Sequence, residues 1–478
     1  MHLSKLPLEI LDSILSEIDD HDDLIALALA SKDLHRIVIP RHSEYRVLRI
    51  RHRFPALWAH LALRADLSRN LREIHITQRD NQALVERYPT TPVSSYQANG
   101  IGNTDSMMVD SPDPHQEERE RVRNLLVVME HTQRLKAFHW DFRHSIGTLF
   151  PEQELQLLAS LSRISELRTL VLAGELRCVP LAQFQMAWNM PHLQDLTLMG
   201  NVWTSLATAR SLKHVLKQCT QLRRLQIPMD AIGLGDLIIP TLRDLSLFLQ
   251  SGTTSAQIKQ WNVFLENHPL LEDLWCNPSS TLVLPRNGLR KLKRLSVETK
   301  FLDSFEGAEF VPEELECLQC ENFRFLDFDG GGATGCYGLG KLKKLYLLSV
   351  ASEDELQMIA ASCPALTWLH INGSATFDLN VWLTFFSSLP HLQVFRGPAL
   401  WRSVQDDFQR MHAAIAALVQ RCPELRELDH QSKHDKRGKK HKIVIVKEEA
   451  EDGSMHVRYE VERVYKRESI YLMDYAFA

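Results

Sequence analysis

Two cysteines separated by two residues, Cys317 and Cys320, are the clearest candidates in the sequence for metal or redox chemistry. Such a pair can bind zinc with a second pair of ligands, or it can act as a dithiol. The surrounding residues predict a short strand in which Leu318 and Cys320 share one face, so that Cys317 faces the opposite side. The sequence has no second pair at a workable spacing. We therefore predict no metal site and no redox function at this pair.

Two glycine-rich motifs follow Cys320 in the sequence and have the composition of phosphate-binding loops. Residues Gly330 to Gly335 satisfy G-x-G-x-x-G, and Gly335 to Lys341 satisfy G-x-x-x-x-G-K. Both motifs bind phosphate only where a helix begins directly after the loop and directs its first N–H groups at the ligand. Here a strand is predicted next, and Leu342 stands where a magnesium-binding Ser or Thr is required. We predict a loop between two strands and no cofactor.

Residue patterns typical of hydrolases are missing from the sequence. It contains 21 histidines, but none belongs to an H-E-x-x-H motif, and G-x-S-x-G does not occur. Catalytic groups can also assemble over long range, and nothing in the sequence favours such an assembly. We therefore predict no catalytic residues and a binding function, with a hydrolase or cofactor enzyme as the least favoured alternative.

The composition is that of a folded, slightly acidic protein. Of 478 residues, 44% are hydrophobic and 24% are charged, and the net charge is −5 at pH 7. These values exclude disorder throughout the chain and make nucleic acid an unlikely partner. No uncharged apolar run approaches about 18 residues, so no membrane-spanning helix is predicted. Eight cysteines are too sparse for a disulfide framework, and the first residues lack a signal-peptide pattern, so we expect a cytoplasmic or nuclear protein.

Leucine is present in excess, with 73 copies, and its spacing is regular through the middle of the chain. The pattern Leu-x-x-Leu-x-apolar occurs nine times at intervals of 20 to 29 residues, which is typical of a leucine-rich repeat. The copies begin at Leu167, Leu193, Leu222, Leu242, Leu271, Leu292, Leu315, Leu342 and Leu366. Less complete copies begin at Leu71, Leu135, Leu392 and Leu425.

Each copy predicts a short strand, because its last two apolar residues stand two apart and so share one face. Return segments such as 205–219 and 411–419 carry apolar residues at helical spacing. One strand and one helix per repeat predict an α/β fold, an irregular solenoid or horseshoe with a parallel sheet on its concave side. The alternative is a set of leucine-rich helices, for which these blocks are too short.

Cysteine and proline residues mark the ends of the return segments. Cys219, Cys363 and Cys422 each stand three residues before the first leucine of a copy, and proline directly follows the last two. A proline there ends the helix and leads into the strand, and the cysteine fills a small buried space. The arrangement resembles the cysteine-containing leucine-rich repeats found in many substrate receptors of ubiquitin ligases.

The first forty residues follow a different pattern. Pro7 suits the first turn of a helix, and Ile10, Ile14 and Ile18 continue at four-residue spacing. The acidic residues of 19–23 can cap a second helix. Two helices of this length cannot bury their apolar faces alone, so they need the solenoid or a partner protein.

This segment resembles an F-box, which docks onto the Skp adaptor of a cullin–RING ubiquitin ligase. The resemblance rests on Leu6-Pro7, Glu9, Ile10, Ile14, Leu15, Ile18, Asp23-Leu24, Leu27, Leu29, Ser31-Lys32 and Leu34. It implies that the adaptor contacts or local core are Leu6, Pro7, Ile10, Ile14, Leu15, Ile18, Leu24, Leu27 and Leu34. At position 34 many members have tryptophan instead. The alternative is an amphipathic cap that only covers the first repeat.

Three further segments complete the predicted organisation. Residues from about 90 to 116 are poor in apolar side chains and predict a disordered insert within the solenoid. The basic run 433–442 is either a solvated linker or a nuclear import signal or phosphate patch. After it, two alternating segments flank a Gly-containing turn and predict a β-hairpin. The chain would thus comprise a helical module (1–45), the solenoid (46–430), and the linker with its hairpin (431–478).

Several large side chains are predicted to face outward from the strands, on the concave side. They are Met199, Phe248, Trp275, Tyr346, Trp368, His370 and Arg396. Exposed aromatic side chains on one face indicate a protein-binding surface, unless the C-terminal hairpin or tail covers them. With the F-box resemblance, this surface predicts the substrate-recognition subunit of a Skp–cullin–F-box E3 ubiquitin ligase, which binds the Skp adaptor and an unidentified target protein. The alternative function is a leucine-rich-repeat scaffold unconnected with ubiquitination.

Overall fold

Strands and helices alternate along the chain, and by its internal contacts the chain divides into two units, Met1–Thr241 and Leu242–Ala478. The computed structural model describes residues 6–18, 21–39, 42–43, 45–51, 55–77, 114–142, 151–174, 188–204, 206–231, 233–248, 254–277, 289–297, 314–320, 339–404, 408–430, 441–449 and 455–463.

The first unit combines helices with a parallel sheet. Its strands are β1 (Val47–Arg51), β2 (Glu73–Thr77), β3 (Ala137–Phe142), β4 (Thr169–Gly174), β5 (Asp195–Met199) and β6 (Arg224–Pro228). Its helices are α1 (Leu8–Glu17), α2 (His21–Ala30), α3 (Lys32–Val38), α4 (Pro55–Leu63), α5 (Ala65–Ser68), α6 (Pro114–His131), α7 (Pro151–Ser162) and α8 (Leu206–Gln218), with a 3₁₀ turn at Asn201–Thr204. Each strand pairs in parallel with the next one in chain order.

The second unit repeats this organisation and ends differently. Its strands are β7 (Asp244–Phe248), β8 (Asp273–Asn277), β9 (Arg294–Ser296), β10 (Cys317–Cys320), β11 (Lys344–Val350), β12 (Trp368–Ser374), β13 (Val394–Arg396), β14 (Glu427–Asp429), β15 (His441–Glu449) and β16 (Met455–Arg463). Its helices are α9 (Ser255–Glu266), α10 (Glu353–Ser362), α11 (Leu379–Ser387) and α12 (Phe408–Arg421), with 3₁₀ turns at Leu339–Lys341 and Leu400–Val404. Strands β7 to β14 pair in parallel. The last two strands are antiparallel: β15 pairs with β14, and β16 pairs with β15.

The repeat pattern determines where the strands lie. Every copy of Leu-x-x-Leu-x-apolar contains a strand that begins two residues after its first leucine, which confirms the leucine-rich repeats. The middle leucines stand in register on neighbouring strands and are at most 1% exposed. They are Leu170, Leu196 and Leu225 in the first unit and Leu245, Leu274, Leu295, Leu318, Leu345 and Leu369 in the second. Burying one leucine side chain contributes roughly 1.5–3 kcal/mol, so each repeat adds to the apolar core of its unit.

A recurring backbone contact fixes the register at the start of the strands. The carbonyl oxygen of Arg168, just ahead of β4, accepts hydrogen bonds from the N–H groups of Gln194 (2.8 Å) and Asp195 (2.9 Å) in the next repeat. The carbonyl of Lys343 accepts an equivalent pair ahead of β12. Because a one-residue slip would break both bonds and turn the leucines outward, the alignment is strongly specified.

Two glycines allow neighbouring turns to pack closely at the strand ends. Gly200 has φ +131°, and a Cβ built on it would lie 2.0 Å from the carbonyl oxygen of Gly174. Gly397 has φ +100°, and its added Cβ would lie 2.0 Å from the carbonyl oxygen of Ile371. Any other residue at these positions would combine a disfavoured backbone conformation with a clash.

The structure corrects the predicted boundaries in three places. The N-terminal segment has a third helix, α3, whose first turn is capped by the Ser31 hydroxyl accepting the Leu34 N–H (3.1 Å). Strand β1 was not predicted, because Tyr45 replaces the first leucine of its copy. The predicted insert ends earlier than 116, because α6 begins at Pro114. The rest of the insert, the basic run up to residue 440, and the glycine-rich motifs up to residue 338 lie outside the described residues.

The cysteines before the repeats are buried, and two of them also link successive repeats. Cys219, Cys363 and Cys422 are at most 1% exposed. The Cys422 thiol donates to the carbonyl oxygens of Leu389 (3.6 Å) and Leu392 (3.3 Å). The Cys219 thiol donates to the carbonyl oxygen of Met190 (3.7 Å), ahead of β5. Burial raises the pKa of the Cys219 thiol to about 12 and that of Cys422 to about 11, so both remain protonated.

Candidate protein-binding surfaces

The N-terminal helices pack around a small apolar core of their own. Leu15 of α1, Leu24 and Ala28 of α2, and Val38 of α3 form one buried cluster. Leu34, which stands where the F-box resemblance has tryptophan, is also buried at 5% exposure. Spacings of three and four residues place these side chains on the inner faces of their helices, so the amphipathic pattern of the sequence directs the packing.

The opposite face of α1 exposes apolar side chains at helical spacing. Pro7 is exposed, and Ile10 and Ile14 are 49% and 37% exposed, although all three are apolar. Leu8 on the same helix is 51% exposed, and Leu29 on α2 is 79% exposed. We call Pro7, Ile10 and Ile14 the α1 stripe. Such a stripe is a candidate surface for contact with another protein.

The structure therefore separates the nine predicted adaptor residues into two groups. Those in the local core or packed against it are Leu15, Ile18, Leu24, Leu27 and Leu34. Those at the surface are Pro7, Ile10 and Ile14, with Leu6 half-buried beside them. Leu8 and Leu29 are exposed apolar residues that were not predicted as contacts, and helical periodicity alone could not distinguish the two faces of α1.

Three arginines from the first repeats anchor the C-terminal end of α1. Arg46, directly before β1, donates to the carbonyl oxygen of Leu15 (2.6 Å), and Arg72, directly before β2, donates to that of Ser16 (2.7 Å). Arg134 donates to the Ser16 hydroxyl and pairs with the Glu17 carboxylate, both at 2.7 Å. The last carbonyls of a helix carry partial negative charge and lack partners within the helix, so cations stabilise this end. Sequence reasoning missed this contact because the three arginines are far from α1 in the chain.

A second contact ties the middle of α1 to the segment before β1. Nε2 of the fully buried His42 side chain lies 2.9 Å from a carboxylate oxygen of Asp12. Burial lowers the pKa of His42, and the contact with Asp12 opposes that effect only in part. The α1 stripe is thus presented by a helix fixed at several points to the first repeats.

On the face of the sheet opposite the core, residues of neighbouring strands also stand in register. In the second unit this outer row consists of Ser246, Trp275, Ser296, Gln319, Tyr346, His370, Arg396 and Asp429. The rings of Tyr346 and His370 stack with their centroids 4.3 Å apart, and the Trp368 ring lies 6.0 Å from that of His370. Burial raises the pKa of the Tyr346 hydroxyl, so this side chain is neutral.

Exposure differs among the seven residues predicted to face a target. Met199 and Trp368 are only 8% exposed, which corrects the expectation that they lie at the surface. The others are half-buried: Phe248, Trp275, Tyr346, His370 and Arg396. Leu348, which continues β11 beyond Tyr346, is 40% exposed. Tyr346 and His370 are thus a half-buried, stacked pair of rings, and the exposed Leu348 follows Tyr346 on the same strand.

Arg396 serves the fold directly. Its guanidinium group contacts Glu427 (2.6 Å) and Asp429 (3.2 Å) on the next strand, and Lys442 on β15 also contacts Glu427 (3.0 Å). Burial alone would raise the pKa of Glu427, but the two cations outweigh it and the pKa is lowered. These contacts connect β13, β14 and β15, so Arg396 holds the end of the repeat array.

The cysteine pair lies on the two faces of β10. Cys320 is 1% exposed on the core side, while Cys317 is 9% exposed on the opposite side, and burial raises the pKa of both thiols. Among the residues that the structure describes, no group of three or more His, Cys, Asp or Glu side chains is placed to bind a metal ion. Within those same residues, every helix is too short or too polar to cross a membrane.

Comparison with known proteins supports the repeats. Residues 142–297 match the family described as "FBD-associated F-box protein At5g56370, LRR repeats". This match agrees with the in-register leucines of the fold. The chain is a leucine-rich-repeat protein.

Two solved structures are similar at low identity. One is the crystal structure of the Rad7 and Elc1 complex in yeast, with 14% identity, coverage of 82% of this chain and 87% of that chain, and a TM-score of 0.39. The other is the leucine-rich repeat-containing protein LegL7 from Legionella pneumophila, with 14% identity, coverage of 70% and 91%, and a TM-score of 0.32. No curated protein matches the sequence.

Proposed function

We propose that this chain is the substrate-recognition subunit of a Skp–cullin–F-box E3 ubiquitin ligase. In this proposal α1 to α3 bind the Skp adaptor, and the outer row binds a target protein. The chain contributes no chemical step. It acts by raising the effective concentration of target lysines near a charged conjugating enzyme, in the cytosol or nucleus.

The observation that carries the proposal is the α1 stripe. Ile10 and Ile14 are exposed on a helix whose other face is packed and whose C-terminal end is anchored. The segment resembles an F-box in its residue pattern. The matched repeat family is also described as F-box-associated, which supports the same combination of modules.

The anchoring of α1 suits this function. A ligase subunit that works by proximity must hold its target at a defined position relative to the adaptor, because a freely moving link lowers the effective concentration. Charged hydrogen bonds from Arg46 and Arg72 to the end of α1 fix the helix to the first repeats. The adaptor would therefore be held rigidly to the start of the repeat array.

For the target we propose the surface around Tyr346 and His370. Aromatic side chains that are partly exposed and held in place by stacking lose little conformational entropy on binding, and such residues are enriched among interface hot spots. The outer-row residues of the first unit are less suitable, because His139, Thr197 and Gln226 are at most 7% exposed.

Co-purification of the full chain with a Skp adaptor tests the proposal. The wild type should bind, and Ile10→Asp with Ile14→Asp should weaken binding by at least about 30-fold, as expected for central interface residues. Both positions are exposed, so the variant should keep the wild-type circular dichroism spectrum. Leu63→Asp, at a 74% exposed leucine on α4, is the matched control and should bind normally. A wild type that fails to bind where a known F-box protein does would instead favour a scaffold function.

A further inference from the structure

Among the strands that the structure describes, β16 is the last one in the sheet of the second unit. It pairs with β15 over nine residues, and among the described strands no other one pairs with it. An edge strand presents unpaired N–H and C=O groups and can add a further strand. This edge is independent of the surfaces assigned above to the adaptor and the target.

The side chains of β16 are exposed on both faces of the sheet. On the core side Val457 is 38% and Val461 is 50% exposed, whereas Ile443 and Ile445 of the neighbouring strand are 0% and 6% exposed. The apolar side of the sheet therefore continues beyond the part that is covered. On the other side, the side chains of Arg458 and Glu460 are 60% and 57% exposed and form a loose ion pair 3.9 Å apart.

We propose that β16 pairs antiparallel with β16 of a second copy of this chain, about a two-fold axis at Tyr459. In this register Val457 lies beside Val461 of the second copy, and Arg458 lies beside Glu460 of the second copy. The axis generates each contact twice, as an isologous dimer requires. The strand is thus complementary to itself in both apolar contacts and charge.

Alternative registers are disfavoured by the same side chains. A displacement by two residues in one direction places Arg458 beside its own copy. In the other direction Glu460 lies beside its own copy, although Arg458 then lies beside Glu462. Directly opposed like charges destabilise a strand pair. A displacement by one residue turns the valines of the second copy to the charged face of the sheet. Of the registers compared, the centred one aligns the valines on one face and places no like charges opposite each other on the other face.

Sedimentation velocity of the full chain across a wide concentration range tests this pairing. The wild type should approach twice its 55.0 kDa mass as concentration rises. Arg458→Glu and Glu460→Arg should each weaken the dimer by at least about tenfold, because each creates two like-charge contacts. An equimolar mixture of the two variants should dimerise again, because each places its altered residue beside the opposite charge of the other. Arg458→Glu removes two exposed ion pairs within the chain, with Glu448 (2.8 Å) and Glu460 (3.9 Å), and such exposed pairs contribute little to folding.

The control for a different interface is the variant with Ile10→Asp and Ile14→Asp. It should dimerise like the wild type, because the α1 stripe is not part of this contact. The proposal is overturned if the wild type stays monomeric, if the two charge variants dimerise singly, or if their mixture stays monomeric while both are folded.

Discussion

The anchoring of α1 gives a sharp test of how the N-terminal helices are attached. Arg72 is 6% exposed and donates from Nη2 to the carbonyl oxygen of Ser16 at 2.7 Å. A hydrogen bond to a charged group contributes about 1.5–3 kcal/mol, and a cation at a partly buried helix C-terminus contributes up to about 2 kcal/mol. The two values describe the same contact and cannot be added. We therefore expect Arg72→Met to lower the free energy of opening α1 by about 2–3 kcal/mol. Methionine keeps most of the apolar stem, which limits the loss of packing.

Hydrogen–deuterium exchange of the full chain should localise this effect. If α1 opens independently of the repeats, its amides should exchange about 30- to 150-fold faster in Arg72→Met, which is the same energy expressed as an equilibrium constant. Arg168→Met is the matched control, because Arg168 stands at the equivalent place before β4 and makes exposed hydrogen bonds to the carbonyl oxygens of Ser165 (3.0 Å) and His192 (3.4 Å). We expect Arg168→Met to change the free energy of unfolding by less than about 0.5 kcal/mol. Equal effects of the two substitutions, or unchanged exchange of α1 in Arg72→Met, would refute the reasoning.

Two further predictions concern the fold itself. Gly397→Ala should lower the free energy of unfolding of the second unit by about 2–4 kcal/mol in urea denaturation, because the added Cβ clashes and the backbone φ is positive. The control is Gly340→Ala, where a Cβ has open space, and its free energy of unfolding should stay within about 0.5 kcal/mol of the wild type. Equal urea midpoints for the two variants would contradict this. Burial, with His75 and Arg49 nearby, lowers the pKa of His139 well below its usual value. The unfolded chain therefore binds more protons than the folded one below about pH 6.5, and stability should fall as the pH drops through that value. In His139→Phe, unfolding at mildly acidic pH should take up about one proton fewer than in the wild type. The Tm should therefore change less between neutral and mildly acidic pH. A Tm that depends on pH as in the wild type would show that His139 does not titrate in this way.

The sequence predicted the strands well because their signal is local. The second and third apolar positions of each copy share one face, and a strand begins two residues after the first leucine of each copy, so spacing is sufficient to locate β2 to β14. The same rule would have found β1 if it had allowed an aromatic residue in the first position, since Tyr45 is 1% exposed there. The sites were harder to predict, because the exposure of Ile10, Met199 and Trp368 depends on chain segments that are distant in the sequence.

Successive side chains of a strand point to opposite faces of the sheet, so each repeat has core positions on one face and outer-row positions on the other. Core positions must fill a continuous apolar space, which explains why Leu345 and Leu369 are the same residue type and equally buried. Outer-row positions lie on the opposite face of the sheet and do not fill this core, so Tyr346, His370 and Arg396 can differ while the backbone stays the same. Substitutions at Tyr346 and His370 should therefore change what is bound with little cost in folding. Arg396 is the exception, because its ion pairs with Glu427 and Asp429 make it part of the fold.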